Sequence, residues 1–121
     1  MNYVRLYETP EGDSRFETRA LPLPGLELSH GNLPMGMSAP LAAGDLTFFH
    51  LPVGWVQEWH QAPRRQYVIV LHGAMRIETG DGRNCLIGPG DTLLVEDISG
   101  KGHRTTVPEG DCRGIVVTIP D

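Results

Sequence analysis

Residues 59–73 read WHQAPRRQYVIVLHG. A histidine opens the stretch. A turn with one proline and two arginines follows, then a glutamine, then a run rich in β-branched and aromatic side chains that closes on Gly73. The run QYVIVLH (66–72) has strand composition and is bounded by a glycine. Its flanks pose the functional question. His60 and Gln66 are a metal site, the remnant of one, or ordinary strand residues.

Outward from this stretch the same pattern repeats. YVRLY (3–7), RFETRAL (15–21), DLTFFHL (45–51) and WVQEWH (55–60) precede it. AMRIET (74–79), NCLIG (84–88), DTLLVED (91–97), HRTTV (103–107) and CRGIVVTI (112–119) follow it. Each is a short strand candidate ended by turn residues. GDGR (80–83) supplies Asp-Gly, a hairpin pair whose two central residues must tolerate positive φ. SHGNLPMGMSAPLAAG (29–44) is long enough for a helix but is interrupted by prolines and glycines and has no apolar periodicity. It reads as a long loop containing His30, either a lid or subunit contact or a plain surface connection. About ten short strands without crossover helices predict an all-β chain, an antiparallel sandwich or barrel.

The whole chain agrees. Its 121 residues suit one domain with one core. Fifteen glycines and ten prolines favour many short elements joined by tight turns. The formal charge is −5, with acids spread along the chain, which argues against a nucleic-acid partner. Arg64 and Arg65 are a local exception. Cys85 and Cys112 form no CxxC pair and are expected as buried thiols in a reducing cytoplasm. MNYVRLYETPEG has no basic-then-apolar leader pattern. No apolar run approaches the roughly 18 residues of a membrane span. A cytoplasmic protein without a membrane partner is therefore the expectation.

Spacing then becomes informative. Gly54 precedes His60 by five intervening residues, Gln66 follows, and six more residues lead to Gly73. GPGD (88–91) and EDISGKGH (96–103) come downstream. This arrangement resembles the cupin family. Its first motif is a glycine, five residues, His-x-His, three or four residues, a glutamate, six residues and a glycine. Its second is Pro-x-Gly, two residues and a histidine. Gly54, His60 and Gly73 match the first. Gly100 and His103 match the second, with Ile98 in place of the proline. APRRQ and EDISGKGH look like a subgroup of small bacterial single-domain cupins. The resemblance implies a double-stranded β-helix, or jelly-roll, barrel. Residues 45–119 would be its core and 1–44 its N-terminal strands and long loop, in one domain over 1–121. It also implies a homodimer, with Trp55, Trp59 and residues 3–21 as contact candidates. Cupin metal sites use three histidines and a glutamate. This chain has Ala62 for the second histidine and Gln66 for the glutamate, leaving His60, Gln66 and His103 as implied ligands.

The chemistry can be weighed without the family. A divalent Fe, Ni, Mn or Zn ion accepts imidazole readily and an amide oxygen weakly. His60 and Gln66 flank a proline turn, so adjacent antiparallel strands would bring them together, with His103 supplied by the facing sheet. The set approaches a two-histidine, one-carboxylate triad with the carboxylate replaced. The alternative is a metal-free pocket in which the three residues bond to one another and to a ligand.

Other residues carry paired readings. His72 shares the alternating face of Gln66, but six residues at about 3.3 Å each put it about 20 Å away, so it is a rim residue and no co-ligand. His50 faces either pocket or solvent. Glu58 has the parity of His60 and is an outer-sphere or general-base candidate, or a solvated carboxylate. Glu96 and Asp97 would line the mouth, orient a histidine or cap a turn. Thr105 shares the face of His103. Trp55, Trp59 and Tyr67 are read as outward. Arg64 would hold an anionic substrate or sit in a solvated turn. The functional expectation is a metal-assisted pocket for a small polar molecule, with oxygenase or isomerase/lyase chemistry. A non-catalytic, metal-free binding or sensing module is the second.

Overall fold

The strand QYVIVLH forms β7 (Gln66–His72) in a computed structural model that describes residues 1–26 and 35–121. Its side chains alternate as a strand between water and core requires. Val68 and Val70 are buried, whereas Leu71 is 56% exposed. The neighbours of β7 are β10 (Thr92–Val95) and β12 (Cys112–Thr118), both antiparallel to it. Beyond β12 lies β5 (Leu46–Leu51). Beyond β10 lie β1 (Asn2–Glu8) and then β2 (Ser14–Ala20), which gives a six-stranded sheet. A second sheet runs in the order β6 (Val56–His60), β11 (His103–Thr106), β8 (Met75–Glu78) and β9 (Asn84–Ile87). A short ribbon, β3 (Gly25–Leu26) with β4 (Met35–Gly36), completes the described strands.

Every strand read from the sequence is present, most shortened by a residue or two at the ends. No helix occurs among the described residues. Three details differ. The β1–β10 pair is parallel. Only strands joined by a tight turn are forced antiparallel, and β1 and β10 lie far apart in sequence. The Asp-Gly turn between β8 and β9 puts only Gly82 at positive φ (+82°). Gly82 N–H donates to the Thr79 carbonyl and Thr79 N–H to that of Arg83, so the turn is longer than the two-residue type and Asp81 keeps an ordinary φ. Within the loop expected over 29–44, Met35–Gly36 pairs as β4, while His30 lies outside the described residues.

The core lies between the inner faces of the two large sheets. Leu6, Val70, Leu93 and Val95 come from the first sheet and Met75, Ile77 and Ile87 from the second. Burying each such side chain is worth about 1.5–3 kcal/mol. Cys112 is fully buried and Cys85 partly so. Both thiols are free, and burial raises the pKa of each.

A partly buried polar tie helps fasten the N-terminal strand to the rest. Glu96, just after β10, accepts from Arg5 Nε of β1 at 2.5 Å and from Arg65 Nε at 2.7 Å. Burial raises the pKa of this carboxyl, but the two guanidinium groups outweigh burial and hold it below the usual value. A depressed folded-state pKa means stability that is complete above the unfolded carboxyl pKa of about 4.3. It is lost as pH falls through the folded value. Glu96→Gln should therefore lower urea stability at pH 7, with the deficit shrinking as the pH drops below 4. A deficit that stays constant from pH 7 to pH 3 would contradict this tie.

Candidate functional site

Between the two sheets lies an open cavity of ≈160 Å³ that receives His60, Gln66, Ala62, His103 and Thr105. His60 ends β6 and His103 begins β11. The two are register partners across the sheet, with ring centroids 4.5 Å apart and planes tilted by 59°. Gln66 begins β7 in the facing sheet and enters the cavity from the other side. The partition is thus the reverse of the sequence expectation. The histidines are neighbours in one sheet, and the proline turn carries the chain across to the other before Gln66. Ala62, 4% exposed, lines the cavity where the resemblance places a second histidine.

A bulge arranges this. His103 pairs with His60, but Thr105 pairs with Gln57, so three steps on β6 match two on β11. Side chains alternate along an unbroken strand, so Gln57 and His60 would face opposite ways. The extra residue lets both line the cavity. By the same shift Trp55 lines the cavity, which corrects the outward reading of that residue. Trp59 remains outward and 44% exposed. Sequence periodicity could not reveal Trp55 and Gln57 as wall residues, because a bulge leaves no mark in composition.

Both imidazoles are oriented from behind. His60 Nδ1–H donates to the Glu58 carbonyl at 2.8 Å, and His103 Nδ1–H donates to Asp97 Oδ2 at 2.6 Å. These acceptors fix the tautomer, so on each neutral ring Nε2 carries the free lone pair. Asp97 is fully buried, and its Oδ1 has no partner among the described residues. Its backbone carbonyl accepts from Ala62 N–H, which ties the His103 turn to the turn before β7. Gly102 makes the close approach of the histidine strands feasible. It sits at φ +73°, and a Cβ there would run into the His60 carbonyl.

The remaining sequence candidates separate from the site. The Glu58 carboxylate is outward, 71% exposed and paired with Arg104, because the bulge turns it away; only its carbonyl serves His60. Glu96 is outside the cavity lining and held between Arg5 and Arg65, so it is not free to act as a base. His50 and His72 do not enter the cavity. Each donates through Nε2–H to the Asp111 carboxylate on the exposed far end of the six-stranded sheet, at 3.0 and 3.2 Å. An irregular register between β7 and β12 beside His72 turns it out. Arg64 is exposed in the turn and is absent from the lining. The wall itself is mostly apolar, formed by Phe49, Trp55, Val68, Met75, Val95 and their neighbours.

No protein-family model matches the chain, and no curated protein does. Solved structures do. A polyketide cyclase, RemF from Streptomyces resistomycificus, is 26% identical with a TM-score of 0.54, over 66% of this chain and 56% of that one. A cupin 2 conserved barrel domain protein from Leptotrichia buccalis is 17% identical with a TM-score of 0.53, over 78% of this chain and 44% of that one. A cupin superfamily protein from Desulfitobacterium hafniense is 16% identical with a TM-score of 0.51, over 72% and 75%. The chain is therefore a small protein with the cupin fold. It spans about half the length of the first two of these structures.

The close approach at Gly102 gives a direct test. Gly102→Ala should cost about 1–3 kcal/mol of unfolding free energy from backbone strain alone, and more if the His60 strand is pushed away. Wild-type stability in urea would show that the approach is not constrained.

Proposed function

We propose that the cavity is a metal-assisted site for a small molecule. A divalent Fe, Ni, Mn or Zn ion would be held by Nε2 of His60, Nε2 of His103 and the amide oxygen of Gln66. The observation that carries this reading is the commitment of both Nδ1–H groups to acceptors behind the rings. Metal-ligating histidines are prepared in this way: the other ring nitrogen donates to a carbonyl or carboxylate, which fixes the ring and raises its basicity. Two rings in contact, each with Nδ1–H committed behind it, leave both Nε2 atoms for a shared cation.

The donor set fits a borderline ion with open positions. When bound, such an ion would polarise a substrate oxygen as a Lewis acid. The chain's own residues would do the rest. Asp97 and the Glu58 carbonyl hold the rings, Phe49 and Trp55 help keep water out, and Thr105 and Gln57 offer hydrogen bonds to a polar edge. The likeness to a polyketide cyclase supports an enzymatic use of the cavity. Chelator-stripped protein dialysed against Zn(II), Ni(II), Mn(II) or Fe(II) is expected to take up about one ion per chain. His103→Ala should abolish uptake. Asp97→Asn should weaken it about 10–100-fold, the usual cost of an outer-sphere partner. No uptake of any of the four ions would refute the reading.

A metal-free binding or sensing module is the second reading. It is favoured by Ala62 and Gln66, and by the absence, among the described residues, of any group of three or more His, Cys, Asp or Glu able to hold an ion. A metabolite that raises the melting temperature of chelator-treated protein, and is recovered unchanged, would favour this reading. Under either reading we take the chain to be a homodimer, through exposed groups that include Trp59 and the β1–β2 hairpin. A light-scattering mass near 13.3 kDa would contradict the dimer.

A further inference from the structure

The outer faces of the two large sheets differ in kind. Strands packed on both faces read as near-continuous apolar runs, whereas strands with one wet face alternate. The second sheet alternates. Arg76 and Glu78 of β8 and Arg104 of β11 point away from the core, and Arg104 is paired with Glu58 and Glu78. The first sheet is different. β7 carries the unbroken aromatic and aliphatic run Tyr67–Leu71, and β12 carries Ile115–Val117. Leu46 and Phe48 of β5 are 57% and 72% exposed. The outward residues of these strands stand in registered rows. Leu46, Val117 and Tyr67 make one, and Phe48, Ile115, Ile69 and Thr92 make the next. His50, Arg113 and His72 close the face with a polar edge. An apolar centre with a polar rim is the anatomy of a protein interface.

A knob and a hole share this face. The knob is Phe48, on the edge strand β5. The hole is an apolar hollow of ≈220 Å³, lined by Tyr3, Ile69 and Thr92 of the sheet and by Leu21, Leu41 and Ala42 beside it. An apolar cavity of roughly 150 Å³ holds one benzene-sized ring, so the hollow has room for a phenyl group. Ile69 and Thr92 stand in the Phe48 row and also line the hollow, which puts knob and hole at one level along the strands. Counted from β7, β5 is two strands away on one side and β1 two strands away on the other.

We propose that this face binds a second copy of the chain, each copy seating Phe48 in the hollow of the other. This rests on the homodimer reading above and names its surface. A two-fold axis along β7, between two facing copies, lays β5 of each over β1 of the other. A self-complementary patch of this kind makes a closed, isologous dimer. Aligned sheets pack face to face in this manner, about 10 Å apart. Five strands about 4.8 Å apart and roughly 20 Å long give a projected area of about 480 Å². Side-chain relief raises this toward the roughly 800 Å² per partner of a standard interface.

The test is light scattering on the full chain over a range of concentrations. Wild type should weigh about twice 13.3 kDa. Phe48→Asp removes the knob, and Ala42→Trp fills the hole from within. Each should weaken association about tenfold or more, as the loss of a central anchor does. Phe48 and Ala42 are exposed in the single chain, so both variants should keep the wild-type circular dichroism spectrum. A photo-cross-linker, p-benzoylphenylalanine in place of Phe48, gives a second readout. In a mixture of heavy- and light-isotope chains it should join position 48 of one copy to Leu21, Leu41 or Ala42 of the other. Unchanged association in either variant, or cross-links confined to one chain, would overturn the proposed face. So would a dimer that Trp59→Ser dissociates and Phe48→Asp does not. With a wild-type dimer in hand, each of these leaves the homodimer reading standing. A wild-type mass near 13.3 kDa at every concentration removes both.

Discussion

The cavity depends on one irregular pairing, the extra residue of β6 opposite β11. Without it, alternation would put Gln57 and His60 on opposite faces, and only one of them could reach the interior. With it, Trp55 just before β6 and Gln57 and His60 within β6 all enter. The bulge also turns the Glu58 carboxylate outward while leaving its carbonyl beneath the His60 ring. A ladder defect of this kind re-aims side chains at the expense of regular pairing. The site is organised around that exchange.

The two histidines are supported by unlike groups. His60 leans on a backbone carbonyl, which is neutral and part of its own strand. His103 leans on a buried carboxylate from the preceding turn. The second ring therefore rests against the more strongly charged acceptor. Asp97 also holds Ala62 through its carbonyl, so the turn that orients His103 fixes the start of the segment that delivers Gln66. The position where cupins commonly place another histidine is buried against the cavity and filled by a methyl group.

Much of this was legible in the sequence. Alternation in QYVIVLH gave the burial of β7, and Gly/Pro punctuation gave nearly every strand. The spacing of Gly54, His60, Gly100 and His103 located two of the residues that meet. What was not legible depends on pairing across sheets. The sequence places His60 and Gln66 on either side of a turn, and a hairpin was the simplest inference; whether a proline turn folds back or crosses over is decided by the packing of both sheets. The bulge is equally silent, which is why alternation puts Trp55 on the wrong face and cannot decide between the two readings of Glu58. Local position leaves both pocket and solvent open for His50 and Arg64; the structure puts one at the far sheet end and the other in an exposed turn.

The tie between Arg5, Glu96 and Arg65 has a consequence for the order in which the molecule can be completed. β1 has no partner for its inner edge until β10 is made, and Glu96 cannot join the two arginines before that. His103 follows later still, and β12, which packs between β5 and β7, comes last. During synthesis the first strand must therefore wait, paired only with its hairpin mate, for most of the chain to emerge. Such distant pairings make for slow folding. The cavity gains Val116 only when β12 pairs between β5 and β7, so a nascent chain stalled before β12 would carry both histidines without a finished wall around them.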